Sequence, residues 1–328
     1  MLESTTAPRS MLSEYLAPDA RIDTADRVLP PELQATMGNC PLPAIPASPI
    51  AGWSPGMLAN ASFFGDPEFG LKYFQLENSS AAFGRRWQAA IRQGRRCANG
   101  NWDGKIVIDV GCGPGNLYAA VGGTPRSLLG IDISHGALVH AQQLGYTPLL
   151  ADAHDLPLRD GCADIVTLNA VLHHCDDMAR VLAEAARLVR PGGLLITDED
   201  PLVNTVSYRG LAWLVTKARE RFPLYWLPGR AAVYKTPYEQ AWRQATEIHN
   251  SKPGDGVTPA LYLDTLEPLG FSVELYPHHH NVGAELFCGD PGRLGFKDRS
   301  IQLLARENAP PPPQSIACIA RKHLASLN

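Results

Sequence analysis

Apolar residues in the middle of the chain fall into short runs separated by stretches of helical period. The runs at 105–110, 127–131, 147–150, 163–168 and 194–197 are rich in Val, Ile and Leu. Runs with little alternation suit parallel strands covered on both faces. Ser134 stands as an N-cap before a helix at 136–144, and Gly145 stops it. Asp176 or Asp177 caps a strongly periodic helix at 178–189, which Pro191-Gly192-Gly193 ends. Strand and helix in turn predict an α/β domain, a parallel sheet with helices on both faces. Further on, Thr258-Pro259 starts a helix to about Leu269, Gly270 stops it, and 271–276 reads as a sixth strand. A last apolar strand at 315–320 follows Pro310–Pro313. The expected fold is a seven-stranded, mostly parallel sheet with an antiparallel last strand. It covers residues 101–200 and 259–328.

The flanking segments differ in pattern. Prolines at 30, 31, 41, 43, 46, 49 and 55 interrupt any long element, so 1–65 reads as an irregular arm with at most a short helix near Ser10. Order is expected from Asp66-Pro67-Glu68, an N-cap acid before a first-turn proline, with a short helix through Tyr73 and Phe74. Residues 66–100 form a helical cover, in which Phe83, Trp87 and Ile91 share an inward face. Arg85, Arg86, Arg92, Arg95 and Arg96 are expected mostly in solvent, or one of them over a ligand carboxylate. Residues 201–258 carry Tyr208, Trp213, Phe222, Tyr225, Trp226, Tyr234, Tyr238 and Trp242. Thr236-Pro237-Tyr238-Glu239 is a capping box that starts a helix near 237. This segment reads as an aromatic-rich helical lid, its rings forming a small core or lining a pocket for a planar or greasy molecule. A membrane-surface helix across 211–226 is weaker, because its polar face is short.

The net charge of −4 gives no basic domain, which argues against general nucleic-acid binding. Seven scattered cysteines with no Cys-x-x-Cys spacing suit a reducing compartment. No apolar run approaches the ~18–20 residues of a membrane span, and the first residues lack a secretory pattern. The expected location is the cytoplasm, without membrane or nucleic-acid partners. The arm at 1–60 could exchange between subunits of a homodimer.

Chemistry concentrates where the first strand ends, at Asp109-Val-Gly-Cys-Gly-Pro-Gly115-Asn116. Glycine lets a backbone turn tightly and pass close to a ligand. A dinucleotide fingerprint would need glycine at 116, where Asn stands, and a Walker loop would need Gly-Lys-Ser/Thr. Asp109 would also repel a pyrophosphate. The turn suits a cationic or zwitterionic ligand.

Together with Asp132 at the end of strand two, Asp152-Ala153 after strand three, Asn169-Ala-Val-Leu-His-His174 after strand four, and Leu188-Val-Arg-Pro-Gly-Gly193, this turn resembles the class I S-adenosylmethionine-dependent methyltransferases, in particular their small-molecule type. The resemblance covers about 100–200. It implies a Rossmann-like core and S-adenosyl-L-methionine as cofactor. Asp109 and the backbone of Gly111, Cys112, Gly113 and Gly115 would face the methionine moiety. Asp132, with Ile133, would take the ribose hydroxyls, Asp152 and Ala153 the adenine, and Asn169 would face the crevice. The implied reaction is in-line methyl transfer to a small-molecule acceptor, hydrophobic or aromatic if the lid lines the pocket. Methylation of RNA or protein, and a cofactor-binding regulator or isomerase, are the alternatives.

A hydroxyl acceptor would want a nearby base. His173, His174 and His278 are the candidate catalytic residues, with Asp200, Tyr208 and the remainder of His278-His279-His280 beside them. No metal is expected. Only His278 and His280 of that run can share a strand face, and no carboxylate or cysteine pattern completes a site.

Overall fold

Five of the seven strands run side by side because their apolar residues feed both faces of one sheet. The computed structural model describes residues 53–66, 81–95, 100–203, 237–250, 254–294 and 313–324. The expected helices near Ser10 and through Tyr73, the segment 211–226, and Tyr208 with most of the lid aromatics lie outside the described residues.

The strands are β1 (Ile106–Val110), β2 (Ser127–Asp132), β3 (Thr147–Leu150), β4 (Ala163–Asn169), β5 (Val189–Asp198), β6 (Phe271–His278) and β7 (Ser315–Lys322). The sheet order is β3-β2-β1-β4-β5-β7-β6. β1 to β5 are parallel, and β7 inserts between β5 and β6 antiparallel to both. The helices are α1 (Pro55–Phe63), α2 (Ala81–Arg95), α3 (Asn116–Val121), α4 (His135–Gln143), α5 (Met178–Leu188), α6 (Pro237–Thr246) and α7 (Pro259–Leu266).

Successive strand residues point to opposite faces. Val107, Leu128, Ile165 and Leu194 pack with Phe83, Trp87 and Ile91 of α2, with Leu117 of α3 and with Leu138 of α4. Their neighbours Ile108, Leu129, Val166 and Leu195 pack on the other face with Val181 and Leu182 of α5 and Tyr262 and Leu266 of α7. The sheet is therefore Rossmann-like, with a double-faced core. Asp177 caps α5 by accepting the Arg180 N–H at 3.0 Å.

Three sequence expectations are corrected. First, 1–65 is not irregular throughout. Ser54 Oγ accepts the Met57 N–H at 3.1 Å and Pro55 takes the first helical position, so α1 forms there. Six of its nine residues are buried, which makes it a wall of the core rather than an arm. It docks on α6 through a T-shaped Phe63–Trp242 pair at 5.3 Å and a Trp242 Nε1–H bond to Ser62 Oγ. Second, Pro191-Gly192-Gly193 ends α5 but does not delay the strand. β5 begins at Val189, and the tripeptide forms an irregularity between the Ala163–Val189 and Ile165–Leu194 pairs. Third, Arg86 is not solvated. It is fully buried, bonded to Asp198 (Nε to Oδ2, 2.6 Å), to Glu199 and to the Val282 carbonyl at 2.6 Å. It ties α2 to the end of β5 and to the chain after β6.

Candidate active site

Residues at the carboxyl ends of the parallel strands converge on one cavity of about 430 Å³. Open α/β sheets place their ligand crevice at this edge. The turn after β1 is left-handed at Gly111 (φ 68°), Gly113 (φ 52°) and Gly115 (φ 94°). Its backbone is pinned to β2, since the N–H groups of Gly111 and Cys112 both donate to the Ile131 carbonyl at 2.7 and 3.0 Å. A Cβ on Gly111 would lie 2.5 Å from Val171, so the close approach of the turn after β4 needs glycine here.

Asp132 lines the cavity from the end of β2. Its Oδ2 accepts the Gly113 N–H and its Oδ1 the Ser134 N–H, both at 2.8 Å. Burial pushes its carboxyl up to about 6, against the backbone hydrogen bonds that favour the anion. Ile133, Ala153 and Asn169 also line the cavity. Asn169 Oδ1 accepts the Trp87 indole N–H at 3.2 Å, which orients its amide. Asp152 Oδ1 is held by the His154 ring at 2.6 Å and by its backbone N–H at 3.0 Å. Its Oδ2 has no hydrogen-bond partner among the described residues and is available to an amine donor. The donor set thus fits a nucleoside: one carboxylate at the end of β2 for a ribose, and one with a free oxygen for an exocyclic amine.

Not every residue predicted for the cofactor reaches the cavity. Asp109 lies behind its wall, 1% exposed, accepting from Thr167 Oγ1 at 2.7 Å and Tyr146 OH at 2.8 Å. The expectation that its carboxylate meets the methionine moiety is corrected, because Asp109 is buried in the fold and does not line the cavity. Burial raises it to about 7 despite those two hydrogen bonds. Cys112, Gly113 and Gly115 build the turn, while Gly111 alone of the turn glycines lines the cavity.

The other end of the cavity holds His173 and His174, on a 3-10 turn (Leu172–His174) after β4. His173 Nδ1 faces Asp200 Oδ1 at 2.8 Å, and its Nε2 faces Glu247 Oε2 at 3.5 Å. Burial opposes the charged ring, but Asp200 and Glu247 outweigh it and raise the His173 pKa. His174 donates from Nδ1 to the Thr246 carbonyl at 2.7 Å; burial and the neighbouring His173 push it down to about 3. Burial works against ionised Glu247, yet His173, His174 and Arg243 hold it at about 2.

His278 is corrected as a catalytic candidate. It is fully buried outside the cavity, with Nε2 on Asp198 Oδ1 at 2.8 Å. There it shares Asp198 with Arg86, and these two partners lower the Asp198 pKa against the effect of burial. His280, two residues on, lines the cavity and bonds Glu199. Glu199 and Ala170 adopt positive φ (65° and 56°) at the cavity edge, backbone strain of the kind held at working sites.

Sequence reasoning missed Asn60, Glu199, Arg243, Glu247 and Asn250, all on the cavity wall. A signal existed for part of this set. Ser54-Pro55 announces α1, and Arg243 of α6 and Glu247 just past its end are an i,i+4 pair.

Residues 108–197 match a family model described as a methyltransferase domain. Parts of the chain are similar to an uncharacterized 37.1 kDa protein in transposon TN4556 of Streptomyces fradiae, 39% identical over 105 residues, or 29% of this chain and 30% of that protein. Malonyl-[acyl-carrier protein] O-methyltransferase of Pectobacterium atrosepticum is 35% identical over 94 residues, 28% of this chain and 37% of the relative. Ubiquinone biosynthesis O-methyltransferase of Thiobacillus denitrificans is 41% identical over 97 residues, 27% and 42% respectively. The chain thus covers less than half the length of each of these relatives. No helix among the described residues is long and apolar enough to cross a membrane. The matched stretch contains the glycine turn, Asp132, Asp152, Asn169, His173 and His174, so residues 108–197 carry a methyltransferase domain.

Proposed function

We propose that this protein transfers a methyl group from S-adenosylmethionine to a small-molecule acceptor. The observation that carries the reading is one continuous cavity. A nucleoside-type donor set (Asp132, Ile133, Asp152, Ala153) lies at one end, and a polar group (Asn60, His173, His174, Glu247) at the other. S-adenosylmethionine, when bound, supplies an electrophilic methyl on a sulfonium. In this reading Asp132 accepts both ribose hydroxyls, a geometry suited to a carboxylate. Asp152 Oδ2 takes the adenine amine, and Gly111 and Asn169 border the methionine moiety. Asp109 supports the turn from behind through Tyr146 and Thr167, and Cys112, Gly113 and Gly115 shape it.

His173 and His174 are the catalytic candidates that remain, facing the space an acceptor would fill. Met57, Phe64 and Phe83 add apolar wall beside them. α1 and α6 cover this end among the described residues, which favours a small acceptor over a macromolecule. Holding acceptor and sulfonium in line contributes up to roughly 7–11 kcal/mol for well-oriented reactants. Two of the named relatives are O-methyltransferases, which supports a hydroxyl or carboxyl acceptor.

The test has two parts. Calorimetry should show binding of S-adenosylmethionine and S-adenosylhomocysteine to the wild type. Incubation of metabolite extract with methyl-labelled cofactor should then yield a small product heavier by one methyl group. Tight cofactor binding with no transfer to any small molecule would refute the reaction, and no binding would refute the cofactor site.

A further inference from the structure

Three side chains at the acceptor end have an arrangement that methyl transfer alone does not require. One nitrogen each of His173 and His174 and a carboxylate oxygen of Glu247 lie within 4.8 Å of one another. His173 Nε2 and Glu247 Oε2 are 3.5 Å apart, too long for a good hydrogen bond. Two ligand atoms at about 2.0–2.1 Å from one tetrahedral cation are separated by about 3.3 Å.

The opposite ring nitrogens are already committed. His173 Nδ1 faces Asp200 Oδ1 at 2.8 Å and His174 Nδ1 faces the Thr246 carbonyl at 2.7 Å. Metal-ligating histidines show this pattern, in which the second ring N–H donates to a carboxylate or carbonyl and aims the other nitrogen. Arg243 pairs with Oε1 of Glu247 and Asn250 Nδ2 donates to Oε2 at 2.8 Å, which fixes the carboxylate with Oε2 facing His173 and one lone pair of that oxygen still to share. An independent observation points to a ligand in the same space. Asn60, 6% exposed, lines the cavity and donates from Nδ2 to the His174 and Thr246 carbonyls, while its buried Oδ1 has no hydrogen-bond partner.

We propose that His173, His174 and Glu247 bind one divalent transition-metal cation, with a fourth position open to the acceptor. Two imidazoles and one carboxylate with an open position are a Zn²⁺ donor set of the catalytic kind. The histidine run at 278–280, by contrast, forms no such donor set among the described residues. Two of these, His278 and His280, are each paired with a different acid, Asp198 and Glu199.

Resting on the methyl-transfer reading, the site makes the acceptor a hydroxyl compound. Its oxygen takes the fourth position, its pKa falls, and its proton leaves to water. An oxygen lone pair then forms the C–O bond as the S–C bond breaks, with that pair remaining on sulfur. The products are a methyl ether and S-adenosylhomocysteine, and the cation is unchanged.

The experiment titrates chelator-treated full-length protein with Zn²⁺ by calorimetry and with Co²⁺ by visible absorption. The expected result is one equivalent bound, with the absorption of a low-symmetry cobalt site. Glu247→Gln and His174→Gln, each checked for an unchanged unfolding transition, should weaken binding at least ten-fold. Asp200→Asn should weaken it by about 10–100-fold through His173, and Asp132→Asn should leave it unchanged. Absence of binding to the folded wild type, or binding undiminished in both ligand variants, would overturn the site. Methyl transfer surviving in chelated protein that binds no cation would refute the site and leave the methyl-transfer reading standing. Cation binding lost in the ligand variants, with no methyl transfer to any acceptor, would do the reverse.

Discussion

Asp132 at the end of β2 accepts the backbone N–H of Gly113 at 2.8 Å, so the acid that borders the cavity also latches the glycine turn. One side chain thereby both shapes the cradle and lines it. In Asp132→Ala, both expected ribose hydrogen bonds are lost. Bonds to a charged acceptor contribute roughly 1.5–3 kcal/mol each. Calorimetry should show S-adenosylmethionine bound about a hundred-fold more weakly or worse, and unchanged affinity would remove Asp132 from the site.

The same carboxyl sets a pH dependence for cofactor binding. Burial places it at about 6 in the free protein. Ribose hydroxyls donate to its ionised form, so protonation competes with binding. Affinity should be level above pH 7 and fall towards ten-fold per unit below about 6. A titration series from pH 5 to 8 reads this directly, and Asp132→Asn should flatten it.

Asp109 affects stability with the opposite sense to a salt-bridged acid. Its folded pKa is about 7, above the usual 3.8, because burial outweighs the Thr167 and Tyr146 hydrogen bonds. The folded state therefore binds more protons than the unfolded one between about pH 4 and 7, and this contribution is lost as pH rises through that window. Asp109→Asn lacks the effect. In urea unfolding the variant should gain on the wild type between pH 5 and 7, by up to about 1.4 kcal/mol per unit. A constant gap would show that the carboxyl does not take up a proton on folding.

Arg86 holds Asp198, Glu199 and the Val282 carbonyl from inside the fold. Removing one member of such a buried network leaves charges unpaired, at a cost of about 3–5 kcal/mol. Arg86→Ala should lower the urea midpoint accordingly. A loss below about 1 kcal/mol would mean that water replaces the guanidinium.

Gly136, at the start of α4, permits the approach of the chain leaving α1. A Cβ there would come within 2.3 Å of the Gly65 carbonyl oxygen. Gly136→Ala must push backbone against backbone, costing about 1–3 kcal/mol. Met57 and Asn60 of α1 border the cavity, so ligand affinity should fall as well. Stability and affinity both at wild-type values would show that α1 does not depend on this contact.

Much of the core was legible because its signals are local. A parallel strand covered on both faces must be apolar throughout, which is why β1 to β4 lie within a residue of their expected bounds. Asp132 and Asn169 could be placed at strand ends because a polar residue ends each apolar run at the edge where the crevice opens. Ser54-Pro55 was an equally local signal, obscured by the surrounding prolines.

The sequence by itself determined the strand and helix periods, the glycine turn and the polar residues at the strand ends, since each depends on neighbours a few positions away. Only the tertiary structure decided the direction of the remaining polar groups. It turned Asp109 inward to Tyr146 and Thr167, buried Arg86 against Asp198, and placed His278 behind the wall that His280 lines. It also brought Asn60 of α1 and Glu247, just beyond α6, to His173 and His174 at the end of β4. Periodicity reports that a face is covered. It does not report which distant segment covers it, and the acceptor end of this cavity is built from three such segments.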